Sequence, residues 1–404
     1  MSAKDNTEIE GGLRTRAIHA GEAPDPVTGA SAPNLVMSST FVTEEASGFS
    51  AHDLAENPDF LYTRWGNPTV QQLERKLCSL ENAEACVCFG TGMAAASGLL
   101  FSTLSQGDHL IVADTSYAGV AELVRDTLPR MGIDVTPVDC SDVANVTAAF
   151  QDNTRMILLE TPANPIMRLC DIAAISAAAH TAGDIAVVVD STFATPVATR
   201  PLELGADYVF HSLTKYIGGH GDAAGGAVLG SHDRIGALRL EAGIHYGGVL
   251  SPFNAWLIMR GCATLPLRMR AHEENALELA RFLENHDRVT GVSYPGLASH
   301  PQHELAKRQM DNFSAMLTFQ VEDGPAIADR MTRQLQVFHY AVSLGHHRSL
   351  VFWMGTDDLM KTSFRLEGAQ LASFRDYAGD GIFRVSVGLE DAADLCADLD
   401  RVLG

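Results

Sequence analysis

From about residue 66 the chain alternates two hydrophobic periods. "NPTVQQLERKLCSLENA" repeats apolar residues at helical spacing, "EACVCFG" is a short continuous apolar run of strand length, and "TGMAAASGLLFSTL" returns to the helical pattern. Then come "DHLIVAD", "TRMILLETP", "DIAVVVDS", "ADYVFHSL" and "GGAVLG", short runs rich in β-branched residues and mostly separated by helical stretches. Such alternation predicts an α/β fold, a large, mostly parallel sheet with helices on both faces. The rhythm stops near 260–265, and "SPFNAWLIMRGCATLPLRMRAHEENALELARFLEN" reads as long helix. The strands "AMLTFQVE" and "GIFRVSVGLE" and the helices "PAIADRMTRQLQ" and "AADLCADLDRVL" then predict a smaller C-terminal α+β domain. Residues 1–65 are rich in Pro, Gly, Ser and Thr without sustained periodicity, and read as an extended arm that needs a supporting surface, such as a second subunit. The expected parts are therefore an arm over 1–65, a ligand-binding domain over 66–264 and a C-terminal domain over 265–404.

Composition narrows the partners. A formal net charge of -21 over 404 residues argues against nucleic acid or an anionic membrane surface, because both repel such a protein. The seven cysteines are odd in number and irregularly spaced, the pattern of reduced thiols in a cytoplasmic protein. The polar start "MSAKDNTEIEGGLRTRAIHAGE" lacks the apolar core of a signal peptide, and no apolar run approaches membrane-spanning length. A soluble, unexported protein acting on small molecules is the expectation.

In an open parallel sheet, ligands collect at the carboxyl ends of the strands. After "VCF" comes "GTGMA", where Gly90 and Gly92 let the backbone approach a ligand and the following helix points free N–H groups outward, a phosphate cradle. Asp190 follows "AVVV", and Ser212, Thr214 and Lys215 follow "DYVF". Each signal alone is common: a tight turn, a helix cap, a solvated loop lysine. Together, an amine, phosphate donors and a carboxylate are what pyridoxal phosphate requires for its aldehyde, its phosphate and its ring nitrogen.

The stretch "VVVDSTFATPVATRPLELGADYVFHSLTKYIGGHGD" resembles the signature of the Cys/Met-metabolism pyridoxal-phosphate enzymes, and the likeness continues through "TRAIHAGE", "YTRWGNPT", "TGMAA", "ETPANPIMRLCDI", "MRGCATLPLRM", "AVSLG" and "RVSVGLED". The resemblance implies a fold-type I transferase, usually a tetramer of two tight dimers with active sites shared within each dimer. It implies Lys215 as the Schiff-base lysine that also moves protons, Asp190 as partner of the pyridine nitrogen, and Tyr117 as the ring stacked on the cofactor. Gly92 and Met93 would offer backbone N–H groups to the phosphate, with hydroxyls from Ser212 and Thr214. Tyr62 and Arg64 resemble the pair that reaches the same phosphate from the neighbouring subunit, and the catalytic positions it suggests are Lys215, Tyr117 and Tyr62. Arg384 matches the arginine for the substrate carboxylate, with Ser343 and Asn164 as helpers.

Members of that family all take the α-proton first and the γ-specific ones then take a β-proton; they diverge at the next step, where a lyase releases a 2-oxo acid and ammonia and a synthase or sulfhydrylase admits a sulfur nucleophile. Cystathionine-handling members generally carry a glutamate where this chain has Val342, and a valine cannot pair with a distal ammonium. The expectation is a carbon–sulfur γ-lyase acting on methionine or a close relative. An O-acylhomoserine sulfhydrylase or cystathionine γ-synthase is the alternative. Two departures bear on the substrate: Gly119 stands where methionine γ-lyases typically place a cysteine, and "HHRSLVFWMGTDDLMKTSFRLEGAQL" differs from the family text after "AVSLG". Within it, His346, His347 and Arg348 are read as no metal site, because adjacent histidines point different ways.

Overall fold

The computed structural model describes Ile9, residues 11–43 and residues 60–404. The remainder of the expected arm, 1–8, 10 and 44–59, lies outside the described residues. The strands are β1 Ala85–Phe89, β2 His109–Ala113, β3 Asp134–Val138, β4 Thr154–Glu160, β5 Ala186–Asp190, β6 Tyr208–Ser212, β7 Gly226–Gly230, β8 Val289–Ser293, β9 Met316–Val321, β10 His339–Tyr340, β11 Leu350–Gly355 and β12 Gly381–Ser386. Five helices carry or brace the residues of interest: α1 Leu13–His19, α2 Pro68–Glu81, α3 Gly92–Thr103, α4 Pro252–Glu284 and α5 Gly368–Ala378.

The chain divides into two compact units, residues 1–105 with 200–266, and residues 106–199 with 267–404. In the first unit β7 lies between β1 and β6 and runs antiparallel to both, pairing Ala227 with Cys88 and Gly226 with Ser212. The runs "CVCF", "YVFH" and "GAVLG" are buried along their lengths, which is why they read as continuous apolar strands. Glycines permit the close approach of the "GTG" turn to β6 and β7. A Cβ on Gly226 would come within 2.3 Å of the Thr91 carbonyl oxygen, and one on Gly92 within 2.9 Å of the Ser212 Cβ. Helix α2 starts at Asn67, whose side chain accepts from the Thr69 and Val70 N–H groups, and has Pro68 in its first turn.

The arm is less extended than its composition suggests. Helix α1 forms within it, with Ala17 and Ala20 buried. The fully buried Lys76 of α2 donates to the carbonyls of Ala17 at 2.7 Å and Ile18 at 3.0 Å, and pairs with Glu22 at 2.9 Å. A lysine therefore satisfies carbonyls left open at the end of α1, a support from the same chain that residue counting along 1–65 could not register.

In the second unit β5, β4, β2 and β3 pair in that order, all parallel, with Glu160 beside Asp190 at the carboxyl ends of β4 and β5. Along β4 only Arg155 is exposed. Burying each of its large apolar side chains is worth about 1.5–3 kcal/mol. Strand β3, "DVTPV", has no counterpart in the apolar pattern because it is a half-exposed edge strand, the position where Pro137 is tolerated. A second sheet of order β10-β11-β12-β9-β8 is antiparallel except for the β10–β11 pair. Helix α4 carries Pro266 internally. Among the described residues no helix is long and apolar enough to cross a membrane.

Candidate active site

In the first unit the residues around Lys215 are brought together by turns. Thr91 caps α3 by accepting from the Ala94 N–H at 2.9 Å, so the N–H groups of Gly92 and Met93 stand in the first turn, where a helix has no backbone acceptor of its own to offer. The Ser212 side chain lies against Gly92, as the Cβ contact of 2.9 Å shows. Three residues on, the chain folds tightly: Lys215 N–H donates to the Ser212 carbonyl at 3.2 Å, and Gly219 N–H donates to the Lys215 carbonyl at 2.7 Å. Gly219 takes a positive φ of 71°, a conformation in which a side chain would be strained. The Thr214 hydroxyl accepts from Gly225 N–H at 3.1 Å and reaches the Gly225 carbonyl at 3.2 Å, clamping the turn before β7. Lys215 is half-buried.

Also in the first unit, Tyr62 and Arg64 form one aromatic–cationic group. The Arg64 guanidinium lies 5.5 Å from the Tyr62 ring centre and 5.8 Å from that of Trp65, and donates to the Ile244 carbonyl. Tyr62 is exposed, and the segment around it pairs with residues 39–41 of the arm through the Thr63 to Ser39 and Phe41 to Leu61 hydrogen bonds.

The second unit holds the acidic and substrate-type residues. Asp190 is buried at the end of β5, where its side chain accepts from Thr192 N–H at 3.0 Å. Glu160, its neighbour on β4, accepts from Tyr117 N–H at 2.6 Å with one oxygen and from Asn164 N–H at 2.8 Å with the other. One carboxylate thereby fixes both the tyrosine's backbone and the loop carrying Asn164. Burial and the nearby Asp190 charge push Glu160 well above the usual carboxylate range, and the two N–H donors and the Arg384 guanidinium oppose that shift. The Tyr117 ring stays exposed while its backbone is pinned.

Arg384, in the middle of β12, donates to the Asn164 side-chain oxygen at 2.9 Å and to the Ser343 carbonyl at 3.2 Å. Ser343 has a φ of 95°, which costs energy in a non-glycine residue and is retained where the surroundings impose it. The loop after β4 that carries Asn164 contains cis bonds at Thr161–Pro162 and Asn164–Pro165. Behind it, buried Arg168 pairs with Asp114 and with Asp139 at 2.8 Å, and Ser373 of α5 bonds Asp139 at 2.8 Å. Burial pushes the Asp114 carboxyl up despite the Arg168 charge beside it. Gly119 lies in the helical turn after Tyr117, and Val342 is exposed one residue before Ser343.

The structure thus groups Gly92, Met93, Ser212, Thr214 and Lys215 in one unit and Asn164, Ser343, Arg384 and Tyr117 in the other, the last four linked directly or through Glu160. Sequence reasoning missed Glu160. Its signal was present in "MILLETP": an acidic residue ending a wholly apolar strand next to a second one, Asp190, on the adjacent strand. Among the described residues no group of three or more His, Cys, Asp or Glu is arranged to hold a metal ion.

An amine in a glycine-lined turn beside the open first turn of a helix, all within the first unit, fits the aldehyde and phosphate of pyridoxal phosphate. Comparison with known proteins gives the same class. Residues 14–404 match the family model described as Cys/Met metabolism PLP-dependent enzyme, and the chain belongs to that family. It is 42% identical over 392 residues to a canavanine gamma-lyase of Pseudomonas canavaninivorans, covering 96% of this chain and 95% of the other. An L-methionine gamma-lyase of Treponema denticola is 41% identical over 395 residues, covering 97% and 96%. The crystal structure of MetB from Corynebacterium glutamicum superposes with a TM-score of 0.88 at 35% identity, covering 97% of this chain and 98% of that one. The chain is a pyridoxal-phosphate enzyme of the type I fold.

Proposed function

We propose that the protein is a carbon–sulfur γ-lyase that converts L-methionine or a related sulfur amino acid, with one water, into a 2-oxo acid, ammonia and a thiol. The observation that carries this reading is the tail position. Arg384 is held for a carboxylate by Asn164 and Ser343, and the side chain presented one residue away is the uncharged Val342. Val342 offers no partner to a charged distal group.

Pyridoxal phosphate, when bound, supplies the electron sink that makes hydrogen at the amino acid's α-carbon acidic. Lys215 would hold the cofactor and, once released as a free amine, would take the α-proton, pass it on to the cofactor-linked substrate and, free again, take a β-proton, so that the γ-substituent can leave as a thiolate and be protonated to the thiol. Gly92, Met93, Ser212 and Thr214 hold the phosphate, with Tyr62 and Arg64 contributed by a neighbouring subunit. Asp190 would face the ring nitrogen and favour its protonated form, and the exposed Tyr117 ring would stack on the cofactor. Arg384 binds the α-carboxylate as a two-pronged donor, with Asn164 and Ser343 fixing its plane.

The arm over 1–65, a cofactor domain over 66–264 and a C-terminal domain over 265–404 form the functional division, assembled as a homotetramer in the cytoplasm. Support for the assembly comes from the exposed Tyr62 beside Arg64, and for the compartment from seven free cysteines. The test is product analysis. Methionine, homocysteine, cystathionine, canavanine and O-acylhomoserines are each supplied with and without sulfide. Release of equal amounts of 2-oxobutanoate and methanethiol from methionine alone supports the reading. Turnover only when an acylhomoserine and a thiol are supplied together, or of canavanine and not methionine, overturns it.

A further inference from the structure

The segment after "AVSLG" that departs from the family text forms β11, and β11 places an aromatic residue beside the substrate-type arginine. Phe352 is the direct register partner of Arg384 in the antiparallel β11–β12 pair. Register partners project from the same face of a sheet, with side chains about 4.5–5.5 Å apart at Cβ. The next pair along the strands, Trp353 with Phe383, projects from the opposite face, where the two rings lie 5.0 Å apart. Trp353 there fills the space above two glycines so closely that a Cβ on Gly324 would come within 2.0 Å of its ring. Trp353 thus packs on the face of the fully buried Phe383, and Phe352 stands half-buried on the Arg384 face.

Tyr340 of β10 backs that ring. The Tyr340 and Phe352 ring centres are 5.2 Å apart at a tilt of 41°, within the range of favourable aromatic pairs. Tyr340 also stands two residues before Val342, which is 64% exposed. Phe352 thus stands beside Arg384 as an uncharged aromatic neighbour in contact with Tyr340, and the guanidinium itself repels a second cation. An amino acid whose carboxylate lies on Arg384 has its side chain only a few bonds away.

We propose that Phe352, backed by Tyr340, is a specificity-determining residue. It forms an aromatic wall against the tail of the bound amino acid and favours an apolar, thioether-type tail over a short one. The proposal rests on the reading of Arg384 as the carboxylate site and deepens it. Sulfur and methylene groups gain from an aromatic face, whereas any discrimination against a cationic tail comes from the Arg384 charge, since an aromatic face by itself attracts a cation.

Three unreactive probes test this on the cofactor-loaded protein by titration calorimetry: alanine, which has no tail; norleucine, the carbon isostere of methionine; and arginine, whose tail is cationic. Phe352→Ala is expected to weaken norleucine about fivefold and alanine less than twofold, and Phe352→Leu, which keeps apolar volume, to fall between. Wild-type protein is expected to bind norleucine more tightly than arginine. Equal weakening of alanine and norleucine would assign Phe352 to holding Arg384 alone and overturn the wall. So would a loss that falls on arginine and spares norleucine. If Phe352→Ala does not fold, the norleucine-to-alanine affinity ratio of Phe352→Leu decides, and an unchanged ratio overturns the proposal. Methionine turnover by the wild-type enzyme tests the lyase reading separately, because the affinity ratios require no reaction.

Discussion

The two groups of site residues are built by different means. Around Lys215 the work is done by backbone: glycines at 92, 219 and 226, the open first turn of α3, and a turn closed by Thr214 on Gly225. Around Arg384 it is done by side chains far apart in sequence, with Asn164 and Arg384 separated by 220 positions and joined by one hydrogen bond. The first kind of site arises from a short local text and tolerates little change. The second depends on sheet register and loop placement, so a change in one strand such as β11 reaches it directly. Substitutions near Lys215 are therefore expected to remove the chemistry, whereas substitutions near Arg384 change which amino acid is used and how well.

The largest effect is expected from Lys215→Ala. It should abolish the visible absorption of the lysine-linked cofactor and lower turnover by about ten-thousandfold or more, the upper range for losing a positioned acid–base group. A spectrum and a rate measured on one preparation check it, and a variant that keeps both would break the comparison at its strongest point.

Arg384→Ala comes next. Loss of charge-assisted hydrogen bonds of about 2–3 kcal/mol corresponds to a fall in kcat/KM on the order of a hundredfold, read from initial rates over a methionine series. Glu160→Gln should be milder. A glutamine oxygen can accept from Tyr117 or from Asn164, but its amide nitrogen accepts from neither, so one backbone N–H loses its acceptor at about 1–2 kcal/mol. Because Glu160 holds both residues, KM and the environment of the cofactor should both change, seen as altered circular dichroism in the cofactor band. A changed melting point with an unaltered band would reduce Glu160 to a structural role.

The last expected effect falls on stability in acid rather than on turnover. Burial lowers His272 and His300 from the ordinary 6.5 to about 4. The unfolded chain therefore binds protons that the folded chain resists. Stability contributed by these two histidines is present above pH 6.5 and is lost as pH falls toward 4, by at most about 3 kcal/mol each. Urea unfolding at pH 7 and pH 5 should show the decline, and a His272→Gln variant should show a shallower one.

Legibility in the sequence divides along the same line. The turn before Lys215 and the "GTGMA" cradle were readable because each is contiguous, bounded by glycines and preceded by an apolar run. Asp190 was readable as a carboxylate ending such a run. Glu160 sat in a stretch that was singled out, "ETPANP", yet its task became visible only when both of its oxygens were seen on backbone N–H groups 43 residues back and 4 residues on. Strand β3 escaped because an edge strand with Pro137 carries no apolar alternation, and α1 because its support, Lys76, comes from a later helix. The departing segment was recognisable as different, but nothing in its letters put Phe352 opposite Arg384. That required the β11–β12 register.

The most direct test of the separation between the two groups is the cofactor affinity of Arg384→Ala, obtained by titrating pyridoxal phosphate into the stripped variant and stripped wild-type protein. The predicted result is affinity within about twofold of wild type, although methionine turnover by the same preparation has fallen on the order of a hundredfold. A cofactor affinity that falls in step with turnover would contradict the account, because it would make Arg384 part of the machinery that holds the cofactor rather than the part that receives the substrate.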